Sequence, residues 1–229
     1  MKTLIIIPAF NEQENIIKVI DNLSIKYPEY DYIIVNDNSI DKTLKICKEK
    51  NYKYLNLPIN LGIGGCVQAG YLYAYKYGYD IAVQHDGDGQ HDSNYIKDVI
   101  SPIESGLADI VIGSRFIERK GFQSTGLRRF GIAFLSKLIY SFTGVKIYDV
   151  TSGYRAINKK YIEIFSLHYV QDYPEPEAIM YAALKKANII EVPVSMKERK
   201  GGKSSIGTIK SFYYMIKVSV GIIIRRIIA

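Results

Sequence analysis

The chain has 229 residues, 48% hydrophobic and 23% charged, which suits one sizeable α/β domain and excludes a disordered chain. Its net charge of +7 sits at one end: residues 197–229 carry eight basic side chains and one acidic, and the remaining 22 basic and 22 acidic residues cancel. Two cysteines, Cys47 and Cys66, lie outside any CxxC pair, which excludes a disulfide scaffold or a cysteine-zinc module and predicts reduced, buried thiols.

Met1-Lys2-Thr3 leads straight into the apolar run 4–8, too brief for a secretory signal, so a cytoplasmic protein is expected. Residues 4–8 read as a strand, and 12–26 as a helix from the spacing of Ile16, Val19, Ile20 and Leu23. A strand at 32–35 and a helix at 38–50 follow, with Ser39 or Asp41 as N-cap. Then come a weaker strand (52–57), a helix (62–77), a buried strand (81–84), a helix (94–104) and a strand (110–112). This alternation predicts a mainly parallel sheet with helices on both faces, whose ligands gather beyond the carboxyl ends of the strands. The polar clusters Pro8–Glu12, Asn36–Ser39 and Asp86–His91 fall at those ends.

Asp86-Gly87-Asp88-Gly89-Gln90-His91 is the densest of them. Two carboxylates one residue apart suit a hard cation, Mg2+ or Mn2+, that keeps positions for substrate phosphates. The competing reading is an Asp/Gly surface turn. Gly62-Ile63-Gly64-Gly65 is no dinucleotide fingerprint, since Val67 stands where the last glycine belongs, and no Walker loop is present. Asp37 suits a ribose or base, or else an Asx turn; Glu12 suits a ligand, or else the dipole of a first helical turn.

The second half is less regular. It reads as a loop at 121–126, an apolar helix at 127–142 opened by Arg128 and Arg129, a Pro-opened helix at 174–188, a strand at 189–194 and a basic Gly/Ser loop at 197–205. Residues 206–229 mix apolar side chains with Lys210, Lys217, Arg225 and Arg226 and contain no uncharged apolar stretch of spanning length. They read as an amphipathic basic segment lying on an anionic membrane, or else packing on the domain or on a partner subunit.

Taken in order, Pro8–Glu12, Asn36–Asp41, Asn60–Gly62, Asp86–Asp92 and Gly113–Phe116 resemble the motifs of inverting family 2 glycosyltransferases, closest to the dolichyl- or polyprenyl-phosphate mannose and glucose synthase branch. The resemblance covers residues 1–206. It implies a GT-A fold, a nucleoside-diphosphate sugar donor, and a lipid-linked acceptor that is either a polyprenyl phosphate or a saccharide hydroxyl. On matching positions it puts Pro8, Ala9, Glu12 and Asp37 around the nucleoside and Asp86 by nucleotide and sugar. Asp88 and Gln90 would take the metal, and His91 no ligand role. Arg115 would face the phosphates or the acceptor, Asp149 the acceptor side, and Arg199 with Lys203 the closing basic loop. The simpler readings are a strand-end turn for Asp149 and a solvated face for Arg199 and Lys203.

Glu175 and Glu177 are the candidate bases for a hydroxyl acceptor, Glu177 slightly favoured, against a helix start with dipole-matched acids. The expected organisation is a catalytic domain at 1–206 and a membrane-interface tail at 207–229, peripheral on the inner face of the cell membrane, with a homo-oligomer or membrane partner subunit compatible. Two other readings fit less well. A sugar nucleotidyltransferase would need a glycine-rich turn and lysine after Ile7, where Pro8-Ala9-Phe10-Asn11 stands. A non-enzymatic basic membrane protein would leave three acidic strand ends unexplained. No nucleic-acid motif is present.

Overall fold

The computed structural model describes residues 1–118, 121, 126–171, 173–197 and 208–228. Its strands are β1 (Thr3–Ala9), β2 (Asp31–Asn36), β3 (Tyr54–Asn56), β4 (Ile81–Gln84), β5 (Ile110–Ser114), β6 (Arg155–Asn158) and β7 (Ile189–Pro193). They form one sheet in the order β3-β2-β1-β4-β6-β5-β7. Every pairing is parallel except those of β6, which runs against both β4 and β5. The chain winds outward from β1 to β3 and then returns to β4 on the other side of β1. The carboxyl ends of β1 and β4 therefore flank a topological switch point, the crevice where open α/β sheets bind ligands.

Among the described residues the α-helices are α1 (Ile16–Lys26), α2 (Thr43–Glu49), α3 (Gly62–Lys76), α4 (Ile96–Glu104), α5 (Gly126–Thr143), α6 (Lys159–Leu167), α7 (Pro174–Leu184) and α8 (Thr208–Ile228). β1 is buried along its whole length, so both alternating sets of its side chains are apolar. Leu4 and Ile6 pack toward α3, α6 and α7, and Ile5 and Ile7 toward α1 and α4. Gly70 of α3 has no Cβ to meet the Ile6 side chain, which lets that helix sit close on the sheet. Cys47 and Cys66 are buried and unbridged.

Two predicted helices start later than expected. Asn11 and Asn38 take left-handed backbones (φ +57° and +55°), which turn the chain before α1 and α2. The N-cap position of α2 falls on Lys42, neither Ser39 nor Asp41, and Asp41 Oδ1 instead accepts from the Thr43 amide in the turn before the helix. β6 and α6 were not expected. The signal for α6 was Asn158, whose side chain accepts from the Tyr161 amide as an N-cap.

Candidate active site

The first wall is built by the turns after β1 and β2, which lace into each other. Asn11 Oδ1 accepts from the Ile40 amide (2.9 Å), the Ser39 hydroxyl accepts from the Asn11 amide (3.0 Å), and Thr43 Oγ1 accepts from the Glu12 amide (2.9 Å). Glu12 is buried, with its carboxylate accepting from Asn15 Nδ2 at 2.7 Å. Asp37 is 3% exposed and its Oδ1 accepts from the Leu61 amide at 2.7 Å. It thus caps the start of α3, not the following α2, and burial pushes its pKa up. Gly64 meets the backbone of Val170 and Gln171 so closely that no side chain fits, so the glycine run serves a helix start against a neighbouring loop.

The second wall is the acidic loop after β4. The Gly87 amide donates to the Pro8 carbonyl (3.2 Å), and a Cβ on Gly87 would lie 2.9 Å from that oxygen, so the loop is pressed onto the end of β1. His91 is buried and stacked on Tyr154, rings 4.6 Å apart and 11° from parallel. Its Nδ1 accepts from the Asp86 amide at 2.9 Å, and its Nε2 lies 3.5 Å from Asp86 Oδ2. Burial pushes His91 down to about 4, so it is a neutral imidazole that shapes the loop. Asp88 Oδ1 accepts from the Gln90 amide, and Gln90 Nε2 donates to the Lys197 carbonyl. The Gln90 side chain thereby keeps its own oxygen for another partner. Lys197 also donates its amide to Gln90 O and pairs with Asp92 at 3.2 Å, strapping the segment after β7 across the acidic loop. Among the described residues no group of three His, Cys, Asp or Glu could cage a metal. Two carboxylates and an amide oxygen instead fit a cation that completes its shell with waters and substrate phosphates.

The third wall comes from the second half of the chain. Asp149 is fully buried and holds Arg115 by both oxygens, Nε and Nη2 each at 2.7 Å, and also accepts from the Arg115 amide. Burial opposes the Arg115 charge, yet the Asp149 bonds hold its pKa above the ordinary arginine value. Glu191 of β7 fixes Asp149 in turn: its two oxygens accept the amides of Tyr148 (2.7 Å) and Asp149 (2.8 Å). Arg155 is buried and, among the described residues, its side chain donates to carbonyls alone, Ser152 O by Nε (3.2 Å) and Glu175 O by Nη1 (3.4 Å). It thereby joins the Ser152-Gly153 turn to the start of α7. Gly153 lies against Asp86: a Cβ there would stand 3.4 Å from Asp86 Oδ2.

Glu175 and Glu177 diverge. Glu175 is half-buried, and the charges it feels are those of Arg155, Asp86 and Arg128; burial raises its pKa above the usual carboxylate value. Glu177 points to α8, against Gly221, with its Oε2 3.9 Å from Arg225 Nε. Of the two candidate bases, Glu177, the slightly favoured one, is therefore turned to α8, while Glu175 shares the charged surroundings of Arg155, Asp86 and Arg128. The helical spacing of the two residues could not settle which one faces inward, because α8 supplies Glu177's partner.

Three residues without an expected role join this wall. Arg128 opens α5 exposed, and partial burial with the Arg115 charge lowers its pKa. Among the described residues it makes no ion pair or hydrogen bond. Arg155 and Glu191 are the others: Arg155 opens β6, and Glu191 shows as a lone charge inside the apolar run of β7. Arg199 and Lys203 lie outside the described residues.

Residues 4–165 match the model of the family described as Glycosyl transferase family 2. The UDP-N-acetylglucosamine–dolichyl-phosphate N-acetylglucosaminyltransferase of Methanococcus voltae is 33% identical, over 95% of this chain and 96% of its own. The polyprenol monophosphomannose synthase of Mycolicibacterium smegmatis is 27% identical, over 95% and 86%. Among solved structures, glucosyl-3-phosphoglycerate synthase of Mycobacterium tuberculosis, in complex with Mn2+, UDP-glucose and phosphoglyceric acid, superposes with a TM-score of 0.73 at 16% identity, covering 98% of this chain and 79% of that one. The fold is thus GT-A-like, as the order of motifs implied. The chain is a glycosyltransferase and belongs to glycosyl transferase family 2.

Proposed function

We propose that this enzyme transfers a sugar from a nucleoside diphosphate to the phosphate of a polyprenyl lipid, working as a peripheral protein on the inner face of the cell membrane. The observation that carries the acceptor class is Arg128, a guanidinium with no carboxylate partner among the described residues. Its charged neighbours are Arg115, Asp149 and Glu175. A cation set there, beyond the acidic loop from the nucleotide wall, suits a substrate that brings its own negative charge. The names of the Methanococcus voltae and Mycolicibacterium smegmatis relatives point the same way.

On this reading Pro8, Ala9, Glu12 and Asp37 line the nucleoside, and Asp86 faces the sugar. Asp88 and Gln90 would hold Mg2+ or Mn2+, which when bound would neutralise charge on the departing diphosphate. Arg199 and Lys203 would approach the same phosphates, being two and six positions after Lys197 in the sequence. A phosphate oxygen held by Arg128 attacks the anomeric carbon from the face opposite the diphosphate. The new bond to carbon forms as the bond to the diphosphate oxygen breaks, which inverts the configuration. The nucleophile is already anionic, so no proton need be removed.

The membrane reading rests on α5 and α8. They expose Phe130 (73%), Phe134, Ile216, Val220, Ile224 and Ile227 (77%), with Lys137, Arg225 and Arg226 nearby in sequence. Among the described residues no helix is long and apolar enough to cross a membrane.

A hydroxyl acceptor is the second reading, favoured by the raised pKa of Glu175, which would suit a base. The test is transfer from labelled UDP-N-acetylglucosamine, UDP-glucose and GDP-mannose to polyprenyl phosphate. Labelled lipid should form with one donor and fall by about 10²-fold or more in Arg128→Ala, with donor binding unchanged. Unchanged transfer in that variant contradicts the acceptor assignment.

A further inference from the structure

The C-terminal helix does more than lie beside the body. Val218 and Ile222 are fully buried in the core shared with α5 and α7, so one stripe of α8 faces inward. Two glycines set the depth of that docking. A Cβ on Gly131 of α5 would lie 2.7 Å from Met215 Sδ, and Gly221 of α8 leaves room for the Glu177 carboxylate. Arg225 closes the far end, its guanidinium 5.2 Å from the Tyr181 ring and near Glu177.

Tyr214 lies one helical step before Val218 on the same stripe, at the end nearest the site. Its ring stands edge-on to Tyr173, centroids 4.6 Å apart and planes at 80°. Tyr173 is itself held in a left-handed backbone (φ +53°), unusual for a bulky residue, two positions before Glu175. The charged groups around the Tyr214 phenol are Glu175, Arg128 and Asp149, so it faces the acceptor wall. Among the described residues its hydroxyl makes no hydrogen bond. A half-buried phenol next to an arginine with no carboxylate partner is a donor awaiting an anionic acceptor.

We propose that α8 forms one wall of the acceptor pocket and that Tyr214 positions the acceptor by donating its O–H to the phosphate held by Arg128. This rests on the reading of a phosphate acceptor. It makes one helix do two things: its outer face meets lipid, and its inner face grips the headgroup drawn from that lipid. Seating on the membrane and capture of the acceptor are thereby coupled in one element.

The test uses the full chain, with Tyr214→Phe and Tyr214→Ala assayed on polyprenyl phosphate in vesicles. Tyr214→Phe keeps the ring against Tyr173 and removes only the donor. It should raise the acceptor KM about tenfold, the size of one hydrogen bond to a charged group. The turnover number, donor KM, melting temperature and vesicle binding should stay unchanged. Tyr214→Ala should match or exceed that KM effect and also lower the melting temperature. An unmoved acceptor KM in Tyr214→Phe, with wild type active, overturns the assignment, as does a loss that follows vesicle binding or donor KM instead. A wild type unable to use any phosphate acceptor overturns the underlying reading as well, and so tells the two failures apart.

Discussion

The first wall, proposed here for the nucleotide, and the third, proposed for the acceptor, are built on opposite principles. On the nucleotide side, Glu12, Asp37 and Asp86 sit at the ends of β1, β2 and β4, with the backbone around them tied turn to turn. On the acceptor side, Arg115, Arg128, Arg155, Glu175 and Tyr214 come from five separate elements, and two of them, Arg128 and Tyr214, have no hydrogen-bond partner among the described residues. On the proposed reading, a wall that binds the same diphosphate chemistry every time is pre-tied. On the same reading, a wall that accepts a lipid headgroup from outside keeps donors open to solvent until the headgroup arrives.

The comparison breaks most sharply at Asp88. Asp88→Ala should cost transfer about 10²- to 10³-fold and abolish the dependence of donor binding on Mn2+, read by titration calorimetry with and without metal. If donor affinity proves independent of both metal and Asp88, the acidic loop is a surface turn after all.

Next is the buried pair Asp149–Arg115 in the third wall. Asp149→Asn leaves Arg115 buried beside a neutral amide and should destabilise the fold by about 3–5 kcal/mol in urea unfolding. A loss under 1 kcal/mol would mean that the Arg115 charge finds water or another partner.

The two glutamates sharpen the acceptor class. With a phosphate acceptor, Glu175→Gln should keep turnover within about threefold, whereas a general base would lose about 10²- to 10⁴-fold. Glu177→Gln should leave chemistry intact and change stability by no more than about 1 kcal/mol, since its partner Arg225 is partly exposed.

The smallest effect concerns pH. His85 and His91 are pushed down to about 3 and about 4, mainly by burial. The unfolded chain takes up protons at both near pH 6.5 and the folded chain does not, so acid favours unfolding. Their neutral burial therefore costs nothing above about pH 7. It erodes stability as pH falls from 6.5 toward 4, seen as a falling melting temperature that His91→Gln should flatten.

How far the sequence could be read follows the same divide. Parallel strands with consecutive crossovers announce themselves by alternation, and their polar ends fall in order along the chain, so the first half and its edge were legible. β6 was not: it is four residues long, opens on Arg155, and gains its place by pairing antiparallel with β4 and β5. The direction of Glu175 and Glu177 depended on α8, some forty residues away, and no local period encodes it. Asp149 reads locally as a turn residue, and its role appears only once Arg115 and Glu191 arrive from β5 and β7. For the tail, charge and apolar pattern were visible, whereas the docking of Tyr214, Val218 and Ile222 needs Gly131 of α5 and Gly221 of α8 itself to be in place.

The most direct test of the central claim is the linkage in the lipid product. Phosphorus NMR of polyprenyl phosphate, after incubation with enzyme, donor sugar nucleotide and Mn2+, should show the monoester signal replaced by a phosphodiester. A monoester that persists while sugar is transferred to a hydroxyl would contradict the account and hand the acceptor side to Glu175.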